Sequence, residues 1–265
     1  MSALTSSLRS VRLPTWWFGV LGLAFFFGAW EIVSDVGFVD PVMVPAPSTI
    51  LRAALALMRS GDLARHLLAS LLRAGLGFLL GGSLALVLGI GMARSARLDA
   101  TFNPLMQMLR AIPSLAFVPL AIFWFGIGEG SKVFLIAWGV FFPVWVNTYL
   151  GVRNTSPLLQ RAAASLGATH WRMLVFLTLP AALPFIIAGV RVSLSIALVV
   201  LVAAELTGAN YGIGYLIQMS QQIFRVDNMF VGLASLGVLG FAADHLFDRA
   251  IRALLPWYGA ESGAR

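Results

Sequence analysis

The sequence contains no cysteine, one lysine and few charged residues of either sign. Without cysteine, disulfides, zinc–thiolate sites and thiol nucleophiles are excluded. Charged residues make up 11% of the chain, against about 25% in an ordinary soluble domain. The basic residues are scattered instead of forming one stripe or run, so the net charge of +7 does not predict nucleic-acid binding. The three histidines are far apart and show no metal-binding spacing.

Hydrophobic residues, in contrast, make up 59% of the 265 residues, and the mean hydropathy is +0.89. A soluble core of this size could not bury so much apolar surface, so the sequence predicts an all-α membrane protein in a lipid bilayer. Hydropathy indicates one membrane domain over residues 1–265 with about six spans. These spans lie at about 16–34, 67–92, 103–126, 132–151, 182–207 and 228–248.

The distribution of arginine predicts the orientation of the spans. Arg9 and Arg12 precede the first span, and Arg94 and Arg97 follow the second. Loops rich in Lys and Arg stay in the cytoplasm. We therefore expect both termini (1–15 and 249–265) and the loop 151–181 to be cytoplasmic, with the chain in a bacterial inner membrane.

Prolines mark two irregular segments. Pro45 and Pro47 bar a helix up to Ser48, which is predicted to cap an amphipathic surface helix over 50–58. Pro113 and Pro119 interrupt the third span, and the backbone carbonyls that they free need buried neighbours or a water-filled cavity. Either a pathway wall or a kinked packing helix accounts for this pattern.

The loop between the fourth and fifth spans predicts a hairpin of two short helices. Ser156 and Pro157 can begin the first helix, and Gly167 can end it. A second helix is expected from about Thr169 to Leu179, with re-entry to the membrane at Pro180. The apolar residues of the first helix share one face: Leu158, Leu159, Ala162, Ala163 and Leu166. An apolar face held at the membrane surface indicates a docking site for another protein.

At this loop the chain resembles the permease family of binding-protein-dependent ABC importers. The family pattern is E-A-A-x-x-x-G, nine residues, then I-x-L-P. It is matched by Ala162, Ala163, Gly167, Leu177, Leu179 and Pro180, with Leu177 in place of isoleucine. Arg161 stands where the pattern has glutamate. The stretches 109–132, 141–153 and 203–217 look like the branch that imports taurine, alkanesulfonates and nitrate.

This resemblance implies a type I ABC importer permease fold, a permease homodimer, two ATPase subunits and an extracytoplasmic solute-binding protein. ATP and Mg would be bound by the ATPase, because the chain has no G-x-x-x-x-G-K-[ST] phosphate loop and binds no cofactor of its own. The residues expected to couple to the ATPase are Arg161, Ala162, Ala163, Ala164, Ser165, Leu166, Gly167, Ala168, His170, Leu179 and Pro180.

Charges within the spans are candidates for the translocation pathway, since such groups usually face a bundle interior or an aqueous cavity. We expect Arg110, near Pro113, and Arg191 to give the pathway a positive potential suited to a small anion. Glu205 with Asn210 is expected to help form an outer gate. The alternative is that these charges pair with one another and hold the bundle together. Glu31, Arg73 and Asp244, near span ends, are expected to be structural.

Two questions stay open at this stage. A secondary transporter or channel using Glu205 for proton coupling is the alternative function, although it leaves the hairpin without a role. The solute is not decided either: sulfonate, taurine and nitrate all fit, because in such systems the binding protein usually selects it.

Overall fold

A computed structural model describes residues 16–255, including the backbone but not the side chain of Trp16. The expectations for Arg9, Arg12 and the tail beyond residue 255 lie outside the described residues. Within the described range the secondary structure is helical, without strands. The α-helices are α1 Trp16–Asp35, α2 Pro47–Ser60, α3 Asp62–Arg94, α4 Ala96–Leu109, α5 Val118–Phe125, α6 Glu129–Arg153, α7 Pro157–Ser165, α8 His170–Met173, α9 Leu179–Leu206, α10 Ile213–Gln222 and α11 Val226–Leu254.

The predicted helical membrane fold is confirmed. Within residues 16–255, five helical segments are long and apolar enough to cross a bilayer, and a sixth crossing results if one bent pair counts as a span. The bent pair corresponds to the predicted span 103–126, which is not one continuous helix. It consists of α4 and, after a break, a 3-10 turn at Ser114–Phe117 with α5, at 87° to each other. Pro113 precedes that turn in an extended conformation that no α-helix accommodates.

Helix α6 lies at the centre of the bundle, between α3 and α9. Gly77, Gly81, Ala85 and Gly89 recur at every fourth residue of α3 and form a stripe of small side chains along it. A Cβ at Gly77 would lie 2.6 Å from that of Ile136, and one at Gly81 would collide with the backbone of α6. The two backbones therefore approach closely, as in small-residue packing of membrane helices.

The α9 side of α6 is packed in the same way. A Cβ at Gly189 would lie 2.9 Å from the carbonyl oxygen of Pro143, and one at Gly151 would lie 2.8 Å from the Cβ of Phe185. Between the three helices, large side chains such as Trp145 are fully buried. Because α6 contacts both neighbours through small residues, the three helices form one rigid unit.

The surface helix predicted over 50–58 is present as α2, but its start differs from the prediction. The helix begins at Pro47, since proline is tolerated in a first helical turn, and Ser48 does not cap it. Instead, the backbone N–H of Ser48 donates to the carboxylate of Glu31 at 3.0 Å. Glu31 thus has a structural role, and it joins α1 to the N-terminus of α2.

The second half of the predicted hairpin is also longer than expected. It does not end at Leu179: α8, a π-helical turn at Leu174–Thr178 and α9 follow one another without interruption from His170 to Leu206. Pro180 lies directly after the π-helical turn, and such a local change of helical geometry accommodates a proline within a continuous membrane helix. The hairpin is therefore continuous with a membrane helix, and the predicted span 182–207 is its C-terminal part.

Candidate coupling surface and translocation pathway

The hairpin formed by α7 and α8 exposes large apolar side chains. Leu158 is 74% exposed, Leu166 89% and Trp171 70%. Gly167 has φ +80° between the two helices, a left-handed conformation that glycine adopts at little cost. The prediction that this glycine ends the first helix is confirmed. The result is an apolar knob with a tight turn at its tip.

Polar contacts fix the hairpin to the bundle. A guanidinium nitrogen of Arg94, at the end of α3, donates to the carbonyl oxygen of His170 at 3.2 Å. The hydroxyl of Thr169 accepts from the N–H of Arg172 and caps α8. Ser156 is the N-cap of α7, but its side chain makes no capping bond. Because α8 continues into α9, a displacement of the knob would move that membrane helix as well.

Most of the predicted coupling residues lie on this surface. Exposed positions are Arg161, Ala162, Ala164, Ser165, Leu166, Gly167, His170 and Pro180, whereas Ala163, Ala168 and Leu179 are partly buried. Leu179 and Pro180 lie about two turns beyond α8, at the start of α9, so they belong to the membrane helix and not to the knob. No contact in the structure tests how these residues meet a partner, so their role in coupling stays a prediction.

At the other end of α6, a cluster of charged side chains is buried. Arg73 of α3, 5% exposed, donates to the Glu205 carboxylate at 2.8 Å and to both oxygens of Glu129, at 2.5 and 2.6 Å. Glu205 is fully buried, whereas the side chain of Glu129 is 66% exposed. A buried charge of this kind is tolerated only when it is paired and hydrogen-bonded. The arginine therefore joins α3, α6 and α9.

The loop after α9 folds onto the same carboxylate. Ser70 donates to Glu205 Oε1 at 2.7 Å and accepts from the N–H of Ile213 at 2.9 Å. The N–H of Gly214 donates to Glu205 Oε2 at 2.8 Å, so that the carboxylate lies at the N-terminus of α10, where negative charge is favourable. Gly212 has φ +138° and is so close to Glu205 that any Cβ would collide with it.

This arrangement favours the bundle-holding interpretation of Glu205 over the gate interpretation. Its two oxygens are bonded to Ser70, Arg73 and Gly214. Asn210, its predicted partner in the gate, lies exposed on the loop. Arg73 was expected to be structural because it lies near the end of a predicted span. It is buried, and it lies further from the end of its helix than predicted, because α3 begins five residues before the predicted span.

Arg191 is also paired. From α9, it lies within 3.4 Å of Asp244 and contacts Asp248, both on α11. It also lines a small cavity of about 130 Å³ between α9 and α11. All three side chains are 40–54% exposed. The expected pairing of charges between helices therefore describes Arg191, although its partners are aspartates of α11 and not Arg110 or Glu205.

Arg110 and Pro113 lie at the bend of the broken span and are both exposed. Arg110 is the C-cap residue of α4, and its side chain has no carboxylate partner in the part of the chain that the structure describes. The four charged or polar pathway candidates are thus not brought together: Glu205 is in the cluster, Arg191 of α9 is paired with aspartates of α11, Asn210 is on the loop, and Arg110 is at the bend.

Sequence reasoning missed a second polar network, where α4 meets the end of α6. The hydroxyl of Tyr149 donates to Asp99 at 2.8 Å, Asn103 donates to Asp99 at 2.9 Å, and Arg153 donates to Asp99 at 3.0 Å. Gln107 continues the row by donating to Asn103 at 3.2 Å. The four-residue spacing of Asp99, Asn103 and Gln107 is the signal that could have identified it.

The chain matches, over residues 81–259, the model of the family described as binding-protein-dependent transport system inner membrane component. It is 40% identical to the putative aliphatic sulfonates transport permease protein SsuC of Bacillus subtilis, over 94% of this chain and 90% of that protein. It is 33% identical to the taurine transport system permease protein TauC of Escherichia coli, over 89% and 88%.

Among solved structures, the MetNI methionine ABC transporter in inward-facing conformations has a chain that superposes with a TM-score of 0.62 at 20% identity. The match covers 72% of this chain and 95% of that chain. At this identity the likeness shows the fold, a type I ABC permease bundle, and nothing about the solute.

Proposed function

The chain belongs to the family of binding-protein-dependent transport system inner membrane components, as a permease subunit of an ABC importer, and from this premise we propose which partners and solute it serves. It forms a homodimer in the bacterial inner membrane, with two separate ATPase subunits and an extracytoplasmic solute-binding protein. The solute is a small organic sulfonate, of which taurine is one. The names of the relatives support this solute class.

The observation that supports the ATPase partner is the exposed apolar knob at Leu158, Leu166 and Trp171. Exposed apolar patches of this kind mark protein interfaces. Leu158 and Leu166 lie between Arg153, where the α6 span ends, and His170, where the next apolar segment begins, so they are outside the apolar segments and lipid does not account for their exposure. A groove on the ATPase that accepts this knob accounts for the exposure of these side chains.

The continuity of α8 with α9 suggests how the ATPase drives transport. The energy of the cycle comes from hydrolysis of ATP, which the ATPase binds together with Mg. The knob moves with the ATPase surface, and the unbroken run from His170 to Leu206 carries that movement into the bundle. The rigid α3–α6–α9 unit then rotates as one body, which alternately opens the pathway to either side.

The alternative, a secondary transporter with Glu205 as its proton-coupling group, is not favoured. A coupling carboxylate must exchange protons with water during the cycle, whereas Glu205 is fully buried and bonded to Arg73, Ser70 and Gly214. The alternative also leaves the knob without a function.

The experiment is co-purification of the ATPase with the wild type and with Leu166→Asp, because Leu166 is 89% exposed and an Asp there changes the knob without disturbing the core. The matched control is Ile127→Asp, an apolar loop residue, 73% exposed, at the opposite end of α6. We expect Leu166→Asp to lose at least tenfold of the bound ATPase while Ile127→Asp retains it. Equal retention by both variants would contradict the proposed partner, and a wild type that binds no ATPase would contradict it outright.

A further inference from the structure

We propose that Arg110 is the residue that recognises the oxyanion head of the solute in the translocation pathway, and that Arg191 is not. This inference rests on the proposed function, because it assigns a specificity-determining residue to the proposed pathway. Both arginines are candidates by sequence, and the structure distinguishes them by their partners and their neighbours.

The arginines within the spans differ in whether a carboxylate balances their charge. Arg73 and Arg191 both lie more than two turns from either end of their helices, and both have carboxylate partners. Arg110 is equally deep in the bent pair, 14 residues after Ala96 and 15 before Phe125. Across residues 16–255, however, no carboxylate lies within ion-pairing distance of Arg110, so its positive charge remains available to an anion.

The length of α4 determines how deep Arg110 lies in the membrane. Helix α4 has 14 residues and is about 21 Å long, less than the ~30 Å of a hydrocarbon core. The segment from Ser114 to Phe125 is shorter still. Because Arg94 and Arg97 are expected at the cytoplasmic surface, a helix of this length that begins at Ala96 ends with Arg110 inside the membrane. A cation without a counter-ion is expensive there unless it faces an aqueous cavity or a bound anion.

A stripe of polar side chains on α4 leads to Arg110. Asp99, Asn103, Gln107 and Arg110 follow at spacings of four, four and three, which places them on one face of α4. The first three are joined by hydrogen bonds, and Gln107 and Arg110 are exposed. A polar face that runs from the first turn of α4 to its C-cap at Arg110 is suited to water and solute, and poorly suited to lipid.

The chemistry of the side chain matches the proposed solute. A guanidinium is planar, stays charged and presents its N–H donors as a fork that binds two oxygens of an oxyanion at once. A sulfonate offers three oxygens and one negative charge, so that one arginine can neutralise it during passage. The competing explanation is that Arg110 only stabilises the C-terminal end of α4, where cations are favoured.

The test compares Arg110→Gln with Arg97→Gln, an exposed arginine at the other end of the same helix. The complex with ATPase and binding protein is reconstituted in liposomes, and ATP-driven uptake of labelled ethanesulfonate is measured beside the ATPase rate stimulated by loaded binding protein. We expect Arg110→Gln to lose at least tenfold of uptake, with stimulated ATPase within twofold of wild type. Arg110→Lys should recover part of the uptake, and Arg97→Gln should match wild type.

Unchanged uptake in Arg110→Gln would overturn the proposal. A parallel loss of uptake, ATPase rate and folded protein would overturn it in favour of the helix-end role, and Arg110→Lys should then restore all three, because lysine is also a cation. If the wild type carries no ethanesulfonate, the proposed solute fails, and a second assay that needs no transport decides about Arg110.

That second assay uses the absence of cysteine. Gln107→Cys is labelled with an anionic sulfonatoethyl and a cationic trimethylammonium-ethyl methanethiosulfonate, and the rate ratio is compared with that of a free thiol. We expect an anion preference of at least fivefold, which Arg110→Gln removes, whereas Leu105→Cys on another face of α4 reacts slowly with both. Absence of the preference, or its persistence in Arg110→Gln, would overturn the proposal.

Discussion

The two ends of α6 differ in what they bury and what they expose. At the N-terminal end, Arg73 and Glu205 are buried and every oxygen of Glu205 has a partner. At the C-terminal end, about 37 Å away, Leu158 and Leu166 are exposed. Paired buried charges fix the position of helices, whereas exposed apolar side chains outside the apolar spans need a second protein. The first region accordingly determines stability, and the second determines partnership.

The largest expected effect is at the charged cluster. In Glu205→Ala, Ser70, Arg73 and the N–H of Gly214 lose their shared acceptor. Removal of one partner of a buried ion pair costs about 3–5 kcal/mol, and the carboxylate that Arg73 retains, Glu129, is exposed. We expect a large fall in the unfolding temperature of the purified permease in detergent.

The control for this variant is Asp227→Ala, which removes a carboxylate from the more exposed pair with Arg225. Such pairs contribute about 0–1 kcal/mol. Equal unfolding temperatures for the two variants would mean that the cluster around Glu205 does not hold the bundle.

A smaller effect is expected at the contact between α3 and α6. In Gly81→Ala, the added Cβ would collide with the backbone of Ala137, and overpacking costs about 1–3 kcal/mol. Gly75→Ala on the same helix meets nothing within 4 Å and should be neutral or stabilising, by up to about 1 kcal/mol. Thermal unfolding of both variants measures the difference, and an equal result would show that the two helices are not in close backbone contact.

Local signals were sufficient to predict much of this fold. Apolar runs predict the long helices, and Gly167 between two short amphipathic segments predicts the left-handed turn. The end of the hairpin was predicted wrongly, because a proline that directly follows a π-helical turn need not break the helix, and α8, that turn and α9 continue through Pro180. The interruption of the third span at Pro113 was predicted, and this residue lies at the 87° bend between α4 and the turn that follows.

The candidate site was less predictable, because pairing depends on residues far apart in sequence. Arg73 and Glu205 are 132 positions apart, and Arg191 and Asp248 are 57 apart. Nothing local indicates which intramembrane charges meet. The sequence could therefore name Arg110, Arg191 and Glu205 as candidates, but it could not show that two of them are already paired.

The most direct test of the central claim uses two glycines with the same positive φ. Gly61 and Gly167 each join two helices with φ +80°, and neither has an atom within 4 Å of an added Cβ. Gly61→Asp and Gly167→Asp therefore bring the same strain, about 1 kcal/mol, to opposite ends of the bundle. The measurement is ATPase co-purified per folded permease. We predict that Gly167→Asp loses most of the bound ATPase and that Gly61→Asp retains it, with equal unfolding temperatures. Equal ATPase binding by both variants would contradict the account.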